Sequence, residues 1–214
     1  MAAIYPQNLV FVDVETTGLR TDYDRIVSIS GLVRGVPENR LFSSMVNPNV
    51  PIPDDAARIH GIRDADVAEC DTFKAVGERF FQWVYDNVGA EPVLAAYNGH
   101  SYDFEIMWHE ASRWRCAMPP FTVVRGYDPL RAARVVLRHL PSKRQADVYK
   151  HLYGVAPEKQ HDSMGDVLAM ERIVRHDVFA STFDTHTKVL SFTQAGVTKT
   201  RPCASQARAP PSRG

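Results

Sequence analysis

Four acids and one histidine, spread over three short motifs, carry most of the chemistry this sequence can do. Asp13 and Glu15 stand in F-V-D-V-E-T-T-G-L, Asp103 in N-G-H-S-Y-D-F, and His161 and Asp166 in H-D-S-M-G-D-V. Carboxylates this far apart in sequence converge only through a fold. Converged, they offer hard oxygen ligands of the kind that suits Mg²⁺ or Mn²⁺. Two such ions beside a free histidine are the equipment for cutting a phosphodiester bond with water.

Local spacing supports that convergence. Asp13 and Glu15 are two apart on an expected strand, so both project from one face and can share a metal. Thr16, Thr17, Gly18 and Leu19 follow as a tight polar turn, whose backbone N–H groups can hold a terminal nucleotide while Leu19 wedges against a base. Asp103 falls in the first turn of a helix, after a loop containing Asn98 and Gly99. A helix N-terminus favours an acid there, and the end of the preceding strand is where α/β sites form. Tyr102 is placed to meet a phosphate or the attacking water. His161 sits in the loop before a helix beginning near Asp162, and Asp166 lies inside that helix. The imidazole can therefore move while the acid stays fixed, as a general base requires. Each motif also has a bland account: solvated strand acids, dipole matching, a packing histidine. The combination, in order, outweighs them. The other histidines show no zinc-type spacing.

The elements that must position these groups are legible in outline. Leu9–Val14 is an apolar run broken only by Asp13 and reads as a buried strand. Arg25–Val33 and Leu41–Val46 read as two more, linked by turn residues, which favours an antiparallel meander. Thr72–Val88 places Phe73, Val76, Phe80, Val84 and Val88 on one helical face, with Asp71 or Thr72 as N-cap. Val93–Tyr97 is a short strand. Ser101–Trp114 is a helix with Phe104, Met107, Trp108 and Ala111 on one stripe. Phe121–Val124 reads as a strand, and Pro129–Leu140, Lys143–Tyr153 and Asp162–His176 as helices. A meander followed by alternating strands and helices predicts a mixed α/β sheet.

Composition sets the bounds. The 214 residues are 44% apolar, enough for one sizeable α/β core. The 25 basic and 25 acidic residues cancel, so any grip on nucleic acid must come from local charge. Arg125–Lys150 is the candidate stripe, with Arg131, Arg134 and Arg138 on one expected helix face. The 3 cysteines lack metal-type spacing and read as reduced thiols of an intracellular protein, cytoplasmic or nuclear. Met1–Leu9 has no signal-peptide pattern, and no apolar run approaches the roughly 20 residues of a membrane span. Residues 1–190 are expected to form one domain. Residues 191–214, above all Thr198–Gly214, read as a disordered basic tail rich in Pro, Ser and Ala.

The three motifs resemble those of the DEDDh 3′→5′ exonucleases over roughly Leu9–Arg175. Asn98–Phe104 and Val148–Met170 are similar to the second and third motif regions of the three-prime repair (TREX) exonucleases. Ile52–Ile62, which contains His60, is similar to a segment of the bacterial polymerase III proofreading subunit. The long proline-rich insertion and C-terminal anchor of TREX proteins are lacking, and Asp162 follows His161 where those relatives carry a small or hydroxyl residue.

The resemblance implies a ribonuclease-H-like fold with a five-stranded sheet. It implies two Mg²⁺, replaceable by Mn²⁺. Asp13 bridges both, Glu15 and Asp166 hold the one that activates water, Asp103 supports the other, and His161 takes the proton. Thr16, Thr17, Leu19, His60, Asn98, Tyr102, Arg131 and Arg134 are the expected substrate contacts. The implied substrate is the 3′ end of single-stranded DNA, with DNA favoured over RNA and double-stranded ends open. The implied product is a 5′-mononucleotide. The implied assembly is a homodimer through a sheet edge, with Leu41–Val46 as the candidate edge. The rivals are the same chemistry on RNA, and a weakly active exonuclease fold used for binding or scaffolding.

Overall fold

Alternation along L-V-F-V-D-V-E-T builds the central strand, β1 (Leu9–Thr16). Val10, Val12 and Val14 face one side; Leu9, Phe11, Asp13 and Glu15 face the other. The computed structural model describes residues 6–34, 40–158 and 161–190. β2 (Ile26–Val33) and β3 (Arg40–Met45) complete an antiparallel meander with β1. β4 (Val93–Ala95) and β5 (Val124–Tyr127) then add in parallel on the other side of β1. The order is β3-β2-β1-β4-β5-β6, where β6 (Thr187–Leu190) runs antiparallel to β5.

Helices cover both faces. Before β4 come α1 (Asp54–His60), α2 (Asp64–Val67) and α3 (Phe73–Val88). After it come α4 (Asp103–Arg113), α5 (Pro129–Val136), α6 (Gln145–Tyr153), α7 (Ser163–Arg175) and α8 (Phe183–His186). α3 and α4 pack on the Val10–Val12–Val14 face through Phe73, Val76, Phe80, Val84, Phe104 and Met107. Each such buried side chain contributes about 1.5–3 kcal/mol. α3 approaches β2 so closely that a Cβ on Gly31 would lie 2.8 Å from Trp83 and 3.0 Å from Phe80. α5, α6 and α7 cover the opposite face, where Phe11, Tyr127, Val148, Val167 and Met170 form the second core. α1 and α2 close the end of β2 through Ala56, Ala57 and Val67 against Val27. Among the described residues, no helix is long and apolar enough to cross a membrane.

The mixed sheet flanked by helices agrees with expectation, and four differences have physical reasons. The sheet has six strands rather than five, because Thr187–Leu190 pairs with β5. β5 itself is Val124–Tyr127, not Phe121–Val124. The pairing Ala95↔Tyr127 seats Tyr127 in the core, stacked 4.3 Å from Phe183 with its hydroxyl 2.6 Å from Thr182 Oγ1. The helix from Pro129 stops at Val136, where Leu137 leaves helical backbone and buries. Arg138 therefore does not extend a helical stripe with Arg131 and Arg134. Finally, α1 and α2 organise the segment around His60, which carries no strong helical period. The expected tail, 191–214, lies outside the described residues.

Candidate active site

The odd face of β1 is apolar at Leu9 and Phe11 and turns acidic at Asp13 and Glu15, near the strand's end. Opposite them on β2 stand Ser30 and Ser28, so the carboxylates meet small hydroxyls rather than core. The ladder shifts register between Glu15 and Thr16, and the chain turns out into the Thr17–Asp24 loop. α7 crosses this face and delivers Asp166 from its first turn. Carboxylate oxygens of Asp13, Glu15 and Asp166 lie within 4.8 Å of one another. Asp103 opens α4 with only 4% of its surface exposed. It stands outside that triad, yet its charge is the foremost neighbour acting on Asp13.

Neighbours hold each acid in place. Gln145 donates from Nε2 to the Asp166 carbonyl at 2.9 Å and to its Oδ1 at 3.1 Å. The backbone N–H of His161 donates to Asp166 Oδ2 at 2.9 Å. His161 itself is exposed, with left-handed backbone at φ 60°. The loop before Asp103 is anchored by Asp128, whose Oδ1 accepts from the amides of Asn98 and Leu130, both at 3.0 Å. Asn98 there has φ 68° and an exposed side chain. Tyr102 spans the first and second motifs: its hydroxyl lies 2.5 Å from Thr16 Oγ1 and donates to the Gly18 carbonyl at 2.5 Å.

The electrostatics are those of carboxyl groups crowded together out of water. Burial raises Asp13 well above the usual carboxylate range, and Asp103, Asp166, Glu15 and Asp162 push it further. Burial, then Asp166, Asp103 and Asp162, raise Glu15 to about 8. Asp103 is raised to about 7, by burial first and with Asp128 and Asp166 adding, while its own amide and that of Val14 pull it back. Asp166 is also raised by burial, against the His161 amide. Desolvated like charges disfavour ionisation, and a bound cation reverses that. An all-oxygen donor set fits Mg²⁺ or Mn²⁺ and does not fit a soft-metal site.

A cleft of about 360 Å³ opens at Glu15, lined also by Ser28, His60, Ile62, His161, Asp162 and Ser163 among others. His60 is held below the ordinary histidine range by burial, and its Nδ1 accepts from the Ile62 amide at 3.1 Å. The hydroxyls of Thr16 and Thr17 are engaged inside the turn, donating to the Gly18 carbonyl at 2.9 Å and to Asp24 Oδ1 at 3.1 Å. The Thr17 and Arg20 amides are also engaged, by the Arg25 carbonyl and Asp24. Among the described residues this leaves the Gly18 and Leu19 amides without a protein acceptor. A Cβ on Gly18 would meet the Asp24 carboxylate at 2.7 Å, so a larger residue there would push aside the side chain that accepts from Thr17 and Arg20. Leu19 is 87% exposed beside it.

Of the expected residues, Asp13, Glu15 and Asp166 converge, buried Asp103 acts on them, and His60 and His161 line the cleft, whereas Thr16, Thr17, Leu19, Asn98 and Tyr102 do not line it. Arg131 and Arg134 lie on α5 and do not line the cleft. Arg131 pairs with buried Asp128 at 3.5 Å, so it supports the Asn98 loop. Three cleft-side residues carry no signal in the sequence. Gln145 is 21 positions from its partner Asp166, and Ser28 and Ser163 read as ordinary polar residues.

A family model described as Exonuclease (RNase_T) matches residues 10–174, which spans all three motifs. The chain belongs to this exonuclease family. The chain is 28% identical over 174 residues to Exonuclease DPD1, chloroplastic/mitochondrial, of Arabidopsis thaliana, covering 77% of this chain and 54% of that protein. It is 32% identical over 169 residues to a putative bifunctional exonuclease/endonuclease protein of Mycobacterium tuberculosis, covering 75% of this chain and 25% of that one. The chain thus spans about half or less of these relatives. Its fold is that of E. coli exonuclease I, solved with single-stranded DNA, at a TM-score of 0.64 and 21% identity over 82% of this chain and 42% of that one. It is also that of exonuclease X, solved with 5′-overhanging duplex DNA, at 0.58 and 22% over 83% and 95%. The family is DnaQ-like, and the chain has its ribonuclease-H-like fold. None of these matches singles out the TREX group.

Proposed function

We propose that this exonuclease removes nucleotides from the 3′ end of single-stranded DNA, one at a time, releasing 5′-mononucleotides. The convergence of Asp13, Glu15 and Asp166 within 4.8 Å, with buried Asp103 beside them and His161 at the rim of the same cleft, carries this. Asp13, Glu15, Asp103 and Asp166 would hold two Mg²⁺, or Mn²⁺. When bound, these ions supply Lewis-acid activation of water and neutralise charge on the phosphate. His161 accepts the proton of the attacking water from the exposed side of the cleft. Its backbone bond to Asp166 keeps the imidazole near the carboxylates whichever way the ring turns. The Gly18 and Leu19 amides receive the terminal nucleotide, and Leu19 lies against its base. Tyr102 acts through the turn, by holding the Gly18 carbonyl.

DNA is favoured over RNA because exonuclease I carries single-stranded DNA and exonuclease X a 5′-overhanging duplex in their solved complexes. RNA is the second reading. Purified protein incubated with 5′-labelled DNA and RNA oligomers, in Mg²⁺ or EDTA, separates them. The expected result is a ladder shortened from the 3′ end, stronger on DNA and absent with EDTA. Release of the labelled 5′ nucleotide without a ladder means attack from the 5′ end, and cutting of a circular single strand means endonuclease action; no cleavage of either polymer favours a binding or scaffolding role.

Residues 1–190 form the catalytic domain in this reading. A second copy docks at β3, the sheet edge, where Leu41 and Met45 are 55% and 45% exposed. Light scattering at micromolar concentration reads that directly. The setting is intracellular, cytoplasmic or nuclear; the Arabidopsis relative's name places that protein in organelles.

A further inference from the structure

The cleft's floor is built of hydroxyls. Ser28 and Ser30 lie directly across the strand pair from Glu15 and Asp13, and so share the carboxylates' face of the sheet. Ser163 opens α7, between His161 and Asp166 in sequence. Its Oγ lies 2.8 Å from Ser28 Oγ and 2.8 Å from Ser30 Oγ. Ser30 continues to Ser43 Oγ on β3 at 3.2 Å. Ser28, Ser30 and Ser163 are 7%, 0% and 3% exposed, and none of their hydroxyls is left without a partner.

Each hydroxyl has one proton to donate, so Ser28, Ser163, Ser30 and Ser43 form a directional chain. Such a chain fixes position in a way that methyl groups cannot. Apolar contact tolerates sliding, whereas a hydrogen bond weakens steeply with distance and angle. Farther along, α7 meets the sheet through apolar side chains such as Val167 and Met170, and Glu171 near its C-terminal end pairs with Arg34, just past β2, at 2.6 Å. The hydroxyl chain is therefore the directional tie between the N-terminal end of α7 and the strands that carry Asp13 and Glu15.

We propose that Ser28, Ser30 and Ser163 are positioning residues that set the separation between the His161–Asp166 motif and the Asp13–Glu15 pair. This rests on the acidic cleft being the catalytic centre.

Ser163→Ala, Ser28→Ala/Ser30→Ala and the triple alanine variant test it. Three quantities are needed: melting temperature, Mn²⁺ affinity by calorimetry with the metal alone, and kcat and KM on a 5′-labelled oligomer. Ser163→Ala leaves the Ser28 hydroxyl buried and unpaired, so the melting temperature falls. The triple variant removes the three buried hydroxyls together, and such a swap is close to neutral for stability. Its melting temperature therefore recovers toward wild type. Mn²⁺ affinity and kcat stay down by about tenfold in both, with KM nearly unchanged, because small misplacements of a catalytic group are costly. A merely structural network would let affinity and rate recover with the melting temperature in the triple variant, and that recovery overturns the proposal. Wild-type affinity and rate in Ser163→Ala overturn it as well. The double variant reads the same tie from the strand side. Weakened Mn²⁺ binding in a protein that cleaves no oligomer would support the positioning role while refuting the exonuclease reading.

Discussion

The backbone N–H of His161 donates to Oδ2 of Asp166 across 2.9 Å. A residue outside the helix is thus tied to a carboxylate inside it by main chain alone, and its ring remains exposed. Replacing the side chain leaves that tie intact. His161→Ala should keep Mn²⁺ affinity and fold while losing about 10²–10⁴-fold in kcat, the usual worth of a positioned proton acceptor. Calorimetry and single-turnover cleavage check the two halves. Collapse of metal affinity would make His161 a ligand; an unchanged rate would make it structural.

Metal dependence should be absolute. Mg²⁺ and Mn²⁺ support cleavage, whereas Ca²⁺ binds without turnover, since its looser shell and longer bonds misplace the reacting groups. Undiminished cleavage in excess EDTA would sink the two-ion assignment.

Glu15 makes the metal-free protein's stability fall with pH. Its folded value, about 8, lies above the 4.5 of the unfolded chain. Between those values the folded state binds more protons, so this contribution is full below pH 4.5 and is lost as pH rises through 8. The melting temperature in EDTA should be higher at pH 5.5 than at pH 8.5 by at least about 2 °C, the effect of roughly 1 kcal/mol at this size. Millimolar Mg²⁺ should cancel the loss at the higher pH by binding the ionised cluster. A flat EDTA profile that Mg²⁺ leaves unmoved would mean that the carboxylates are not close in solution.

Asp13→Asn and the arginine variants should separate cleanly. Asp13→Asn removes a charge at the centre of the cluster and should cost about 10³-fold or more in kcat. Arg134→Ala should raise KM modestly, soften the salt dependence and keep kcat. Arg131→Ala should also lower the melting temperature by about 2–4 °C, because buried Asp128 loses its partner. Melting curves beside steady-state rates over a salt series decide this.

Tyr102→Phe should act on binding. The hydroxyl's bonds to the Gly18 carbonyl and Thr16 shape the turn. Losing them should raise KM by about three- to tenfold. A fall in kcat at constant KM would instead put the hydroxyl in the chemistry.

Much of this was legible because alternation and the 3.6 period are strong signals. Leu9–Val14, Thr72–Val88 and Ser101–Trp114 fall close to β1, α3 and α4. The same signals fail where burial is decided by distant partners. Phe121 looks like a strand residue but packs as a loop against Tyr85, while Arg125 and Gly126 dilute the real strand. β6 is 4 residues long and has no period of its own. In the site, Asp13, Glu15, Asp103, His161 and Asp166 announce themselves by type and order. Gln145 and Ser163 do not, because a hydrogen bond between remote polar side chains leaves no local pattern.

The strict alternation of β1 has a consequence for how this gene can change. Deleting one residue between Leu9 and Phe11 would exchange the two faces of everything upstream relative to Asp13. The strand would then keep either its core or its paired carboxylates on the α7 side, and lose the other. Length variation inside β1 is therefore expected in steps of two. Single-residue insertions should accumulate instead in the connecting loops, such as the one between α4 and β5, where parity carries no chemistry.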